Sequence, residues 1–302
     1  MSANAHLLEL QASPHLHKTN SVNHIMYQVI YALIPVCLFS IWQFGLSALA
    51  LLFTCTVACV ATEHLFCHLG RKASTVSDGS VIITGLLLAL TLPPGFPLWM
   101  AAVGAFMAVA LGKALFGGIG FNVFNPALVG RAFLQASFTG AITTWTPSFA
   151  SARFTEFVPS TLALPFCKSP SIDTWFQSAA ADGFSGATPL ALQKFEHVST
   201  GVGQLLLGLT AGSAGESCAL LLIAAGAYLI IRKIMDWRIP VAVLGSAFLM
   251  SGAFYLADSA NYPNPFFMLF SGGLMLGAVF MASDMVGSPV TPLGVWIYGA
   301  LI

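Results

Sequence analysis

Apolar residues in this chain gather into long uninterrupted blocks, with none of the strict alternation that marks half-buried strands. A transmembrane helix needs about 20 largely apolar residues. Blocks near that length fall at 25–42, 44–62, 80–92, 98–116 and 122–138. A long, less apolar stretch follows, from 139 to about 204. Further blocks lie at 217–231, 239–257 and 266–282, and a last one opens at 293. The pattern predicts an all-α bundle of about nine membrane-crossing helices.

Two blocks are irregular. The third is short and ends at Pro93-Pro94, and the fifth contains Asn125-Pro126, Gly130 and Arg131. Broken, polar-containing helices persist at membrane depth where protein or a cavity satisfies the freed backbone. Such helices mark ligand or ion pathways more often than lipid-facing walls.

Composition strengthens the membrane reading. Of 302 residues, 57% are hydrophobic and 7% charged, against about 25% charged in soluble domains. The net charge of zero, with no basic tract, argues against a nucleic-acid partner and leaves lipid as the surrounding medium. Residues 1–24 are polar, hold His6, His15, His17 and His24 at no metal-ligand spacing, and lack the plan of a secretory signal. They read as a solvated cytoplasmic tail. The six cysteines include no Cys-x-x-Cys pair, so packing is expected of them before metal or cluster binding.

Lys and Arg in short loops set orientation. With the N-terminus inside, five spans place residues 139–204 outside. Arg71 and Lys72 then fall inside. Arg232, Lys233 and Arg238 join them if residues 202–212 dip into the membrane without crossing, so a re-entrant stretch is expected there. Four regions result: a tail (1–24), a first five-helix repeat (25–138), an external segment (139–216) and a second repeat (217–302). Thr84-Gly85-Leu86 ahead of Trp99 resembles Gly272-Gly273-Leu274 ahead of Trp296. An odd number of spans per repeat inverts the second copy. The sequence stops within its ninth span, where a tenth is expected, which suggests an incomplete chain.

Three segments carry candidate chemistry. The first is Asp182-Gly183-Phe184-Ser185-Gly186-Ala187-Thr188-Pro189-Leu190 in the external segment. Its glycines give backbone freedom, and Pro189 favours extended backbone at Thr188. By itself this is a loop ending in an exposed hydroxyl. It also resembles the acceptor pattern of flavin transferases, Asp-Gly-x-Ser/Thr-Gly-Ala-Thr, whose last threonine receives the flavin. Thr188 then implies a phosphoester to flavin mononucleotide (FMN), with Asp182, Ser185, Gly186 and Ala187 forming the acceptor turn and its amides shielding phosphate.

The second segment, residues 117–133, combines glycines suited to tight loops with Arg131 inside an apolar run. A guanidinium there is costly and faces a partner or a cavity. Arg131 is expected either to balance flavin charge or to pair with Asp284 or Glu216. In the third segment, residues 280–292, Asp284 closes an apolar block. It reads as a helix-end carboxylate or as a residue of an ion path. Lys113 sits at the end of its block, where it could snorkel to the interface.

Together these residues resemble the D subunit of the Rnf complex, the ion-translocating ferredoxin:NAD oxidoreductase. They also resemble the related B subunit of the sodium-pumping NADH:quinone reductase, which has an N-terminal extension absent here. The resemblance runs nearly end to end, through Ser13-Pro14-His15, Ser77-Asp78-Gly79 and residues 84–94, 112–133, 185–190 and 281–294. Ser185 stands where threonine is frequent in the family, and the family's final helix is not represented. The resemblance implies ten helices in two inverted five-helix repeats, similar to urea channels, in the bacterial inner membrane. It implies covalent FMN on a periplasmic Thr188, with room for a second, non-covalent flavin. Expected partners are the A, B, C, E and G subunits of Rnf, closest the other covalent-FMN subunit, and a flavin transferase for maturation. The implied role is electron transfer between ferredoxin and NAD coupled to Na⁺ or H⁺ translocation. The competing reading is a small-solute channel or transporter on the same scaffold, which has no use for the acceptor pattern.

Overall fold

The computed structural model describes residues 21–71, 75–165, 167, 188–216, 218–259 and 261–302. These residues form helices and connecting loops, with no strand among them. Three helices are long and apolar enough to cross a membrane: α1 (Val22–Phe44), α2 (Leu46–Leu69) and a later one, Arg238–Ala257. At about 1.5 Å per residue, the 23 residues of α1 exceed the roughly 30 Å hydrocarbon thickness.

Ser21 caps α1, its hydroxyl accepting from the His24 amide at 3.2 Å. Gly45, at φ +70°, turns the chain straight into α2, and a Cβ there would lie 1.9 Å from the Arg153 carbonyl oxygen. That carbonyl accepts from the Leu46 amide at 2.9 Å. The Arg153 guanidinium in turn donates to the Trp42 carbonyl at 3.0 Å. The turn therefore admits only glycine and is clasped from the far side of the sequence.

Helix α3 (Ser80–Thr91) ends at Leu92-Pro93-Pro94. Proline cannot continue a helix or donate to one, so the break leaves carbonyls to satisfy. Gly215 and Ala214 supply the donors: their amides reach the Leu90 and Leu92 carbonyls at 2.7 and 3.0 Å. The broken end is thus closed by protein. Helix α4 (Leu98–Val109) continues into a π-helical turn, Ala110–Ala114, and α5 (Pro126–Ser137) starts from an Asn125 cap with proline at its first position. Small residues let α4 and α5 approach closely. A Cβ on Gly130 would sit 2.7 Å from that of Ala108, and one on Gly104 would sit 2.4 Å from Leu134.

A short α6 (Thr139–Ile142) is followed by non-helical residues 143–165, and the next described helices are α7 (Pro189–Glu196) and α8 (Val202–Leu207). Six residues of α8 span only about 9 Å. The non-helical run after it is held by Gln43, whose side-chain amide donates to the Gly208 and Thr210 carbonyls at 2.8 and 3.0 Å. Then come α9 (Ala219–Ile231), α10 (Arg238–Ala257) and α11 (Pro265–Phe270). Three non-helical residues, 271–273, precede α12 (Leu274–Leu276) and a second π-helical turn, Gly277–Met281. Helix α13 (Pro292–Leu301) packs on α10, where Gly299 faces Ala242. The eighth apolar block, expected as one helix, is therefore interrupted by Ser271-Gly272-Gly273, whose first glycine takes φ +68°.

Leu33, Leu51, Leu88, Leu90, Phe96 and Leu276 are fully buried at the centre. Leu38, Phe53, Leu249 and Leu256 are exposed on outward faces, which suits a lipid surround better than water. The chain is an α-helical, multi-pass membrane protein.

Candidate functional site

Thr188 is the N-cap of α7. Pro189 holds it extended (φ −70°, ψ 157°), and its hydroxyl oxygen accepts from the Ala191 amide at 3.3 Å. Because this oxygen acts as acceptor, its own proton is not used by the cap. Thr188 borders a cavity of about 190 Å³ together with Arg131, Trp145, Glu216, Ser271 and Gly273. Of the sequence-predicted site residues, Thr188 and Arg131 are thereby brought together, from segments 57 positions apart (188 − 131). Asp182, Ser185, Gly186 and Ala187 lie outside the described residues.

Arg131 projects from α5 into this space. Among the described residues, its Nη1 is buried without a hydrogen-bond partner, as is the hydroxyl of Ser271, which lines the same cavity. The alternative of an ion pair with Asp284 is not formed. Asp284 instead accepts from the Asn122 side chain at 3.4 Å and the Val286 amide at 3.3 Å. Glu216 is near enough for its charge to act on Arg131, yet no ion pair joins them within 4 Å. The one salt bridge among the described residues lies elsewhere. Glu216 is held aside by the Ser213 amide at 3.4 Å and by contact with Gly212 and Gly273. Thr188, Arg131 and Ser271 thus line one cavity.

The remaining salt bridge corrects the expectation for Lys113. It does not snorkel: it is 5% exposed, and its ammonium donates to both Glu63 oxygens at 2.7 Å and to the Ser80 hydroxyl at 2.8 Å. Glu63 lies inside α2, because the helix runs past the end of its apolar block at residue 62 and on to Leu69. Asp78 accepts from the Ser80 hydroxyl at 2.6 Å, and Thr75 donates to Glu63. This network sits at the start of α3 and the Thr188 cavity at its end. Twelve residues at about 1.5 Å each put them roughly 18 Å apart along the helix. Sequence reasoning missed Glu63, although two opposite charges within apolar runs are a usable signal.

Residues 9–302 match the NQR2, RnfD, RnfE family. The D subunit of a proton-translocating ferredoxin:NAD(+) oxidoreductase complex from Clostridium ljungdahlii is 36% identical over 97% of this chain and 83% of its own length. The D subunit of a Na(+)-translocating ferredoxin:NAD(+) oxidoreductase complex from Acetobacterium woodii is 38% identical over 96% of this chain and 81% of its own length. The D subunit of an ion-translocating oxidoreductase complex from Actinobacillus succinogenes is 36% identical over 98% and 86%. Match and motifs agree: the chain belongs to the NQR2, RnfD, RnfE family, within which it resembles the D subunit of Rnf complexes.

Proposed function

We propose that this chain is a membrane electron-transfer subunit of an Rnf-type complex and carries FMN through a phosphoester on Thr188. The observation that carries this is the convergence of the Thr188 hydroxyl with the unpaired Arg131 guanidinium in one cavity. The residues fit such a group. Esterification replaces the hydroxyl proton, which the cap does not use, and leaves an oxygen still able to accept from the Ala191 amide. Arg131 and the Ser271 hydroxyl then have a phosphate to donate to. A cavity of about 190 Å³ is smaller than the roughly 300 Å³ and upward of whole-ligand pockets. It suits the phosphate end, with Trp145 among the residues at the cavity wall.

When bound, the flavin supplies the electron transfer; the protein's part is placement and electrostatic tuning. Arg131 sits where it favours negative charge, and Glu216, set aside by Ser213 and Gly273, limits that bias. The relatives are named for ferredoxin:NAD oxidoreductases that move protons or Na⁺, which supports the same coupling here. The A, B, C, E and G subunits of Rnf are the proposed partners, and a flavin transferase the maturing enzyme.

The proposed architecture is two inverted five-helix repeats. In support, α2 packs on α3 and α4 much as α10 packs on α11 and α13. The proposed location is the bacterial inner membrane, with Thr188 periplasmic. In support, Ile234 and Met235 line a cavity with Lys113, so the Arg232–Arg238 loop shares the end opposite Thr188. The test is denaturing electrophoresis under ultraviolet light, comparing wild type with Thr188→Val. A fluorescent band lost in the variant is expected. A variant that still fluoresces, or a dark wild type from cells with an active flavin transferase, would overturn the assignment.

A further inference from the structure

At the end of the bundle away from Thr188, two cavities meet at a single side chain. One, of about 400 Å³, is lined by Glu63, Thr75, Gly117 and Gly118; the other, of about 120 Å³, by Ser80, Thr84, Asn122, Asn125 and Asp284. Lys113 is the one residue lining both. Its ammonium stands in the wall between them, bonded on one side to Glu63 and on the other to Ser80. The π-helical turn Ala110–Ala114 shifts the helical register and carries Lys113 inward, with Gly112 pressed against Pro126.

The groups around the ammonium are hard oxygens: both Glu63 carboxylate oxygens and the Ser80 hydroxyl at 2.7–2.8 Å. The Asp78 carboxylate stands behind the serine, and the Thr75 hydroxyl donates to Glu63. Oxygen sets of this kind hold small hard cations as readily as an ammonium. Asp284 adds a second carboxylate, in the smaller cavity, held by weak hydrogen bonds and by no salt bridge among the described residues.

We propose that the Lys113 ammonium is a tethered, displaceable cation that seals the passage between these cavities at Glu63 and gives way there to a monovalent cation. The lysine's flexible four-carbon stem and compact charge suit exchange better than an arginine fork does. The identification of the current with the pump's own ion, and the ratio of cations to electrons read below, rest on the proposed Rnf-type function; the passive leak of the seal can be measured without electron flow.

The experiment uses the whole complex in liposomes, following passive radiosodium efflux and, separately, proton leak with an entrapped pH dye. Lys113→Met leaves Glu63 without its cation and is expected to raise passive leak by about tenfold, the low end of what a cleft lined by one sign of charge does for counter-ion entry. Glu63→Gln added to Lys113→Met removes the attraction and is expected to restore the tight state. External methylammonium should close the single variant's leak by refilling the position. A leak to sodium or to protons supports the seal and says which ion it holds back. An assembled Lys113→Met complex as tight as wild type, or a double variant as leaky as the single, overturns it. Should Lys113→Met not assemble, Lys113→Arg decides. Its fork grips Glu63 with two bonds, so fewer cations should move per electron, and an unchanged ratio refutes displacement. Absence of flavin on Thr188 in the wild type would overturn the proposed function and leave the leak results standing.

Discussion

Replacing Arg131 by Met should change stability in opposite directions depending on whether Thr188 carries phosphate. In the flavin-free chain the guanidinium has a buried Nη1 with no partner, and an unsatisfied donor costs about 1–3 kcal/mol. Methionine keeps most of the apolar stem and removes that cost. In a Thr188→Val background, Arg131→Met should therefore be neutral or stabilising by about 1 kcal/mol. With phosphate on Thr188, the same change removes charge-assisted hydrogen bonds that each contribute about 1.5–3 kcal/mol. The two backgrounds should thus differ by about 2–4 kcal/mol. For a chain of this size 1 kcal/mol corresponds to about 2 °C, so the midpoint difference should be about 4 °C or more. The assay is thermal unfolding in detergent, followed by tryptophan fluorescence, with flavin occupancy read from the same samples by in-gel fluorescence. Equal midpoint shifts in the two backgrounds would refute the pairing of Arg131 with a phosphate on Thr188.

Other substitutions probe the frame that holds the site. Thr188→Ser preserves both hydroxyl and cap and should retain covalent flavin, whereas Thr188→Val should lose the flavin and, through the cap, about 0.5–2 kcal/mol; fluorescence and melting report the two losses separately. Gly85→Ala sets a Cβ 2.6 Å from the Thr56 backbone, an overpacking that should cost about 1–3 kcal/mol and lower the midpoint without changing flavin content. Gly45→Ala, with φ +70° and 1.9 Å to the Arg153 carbonyl, should abolish accumulation of folded protein, measured as yield of monodisperse material. Glu63→Gln alone leaves the Lys113 ammonium buried without its counter-ion and should cost about 3–5 kcal/mol, while the Glu63→Gln/Lys113→Met pair should cost much less; the difference between their melting points measures the ion pair.

The long helices were legible because a run of apolar residues has few options in lipid; α1 and α10 follow their blocks closely, while α2 runs past its block to Leu69. The break at Pro93-Pro94 was legible too, since proline removes a donor locally. The break at Ser271-Gly272-Gly273 has no such local cause. Glycine and serine do continue helices in membranes, so the residues alone did not mark a break that Gly272 makes at φ +68°, close to Leu190 of α7. Lys113 and Glu63 escaped sequence reasoning on similar grounds. Each sits near the end of an apolar block, where snorkelling is the local solution, and only the packing of α2 against the π-helical turn brings them together across 50 positions. Arg131 shows the reverse case. Its cost inside an apolar run signalled a cavity, and a cavity is there, but which acid it avoids depends on loop geometry at Ser213 and Asn122. Thr188 was readable as a hydroxyl after a glycine-rich turn, whereas its meeting with Arg131 needed the fold.

The central claim, a flavin esterified to Thr188, is tested most directly by mass spectrometry of the peptide spanning residues 182–194, from protein produced alongside an active flavin transferase. The expected result is a peptide heavier by one FMN less water, with fragments placing the addition on Thr188. An unmodified peptide at full recovery, or an addition placed on Ser185, would contradict it.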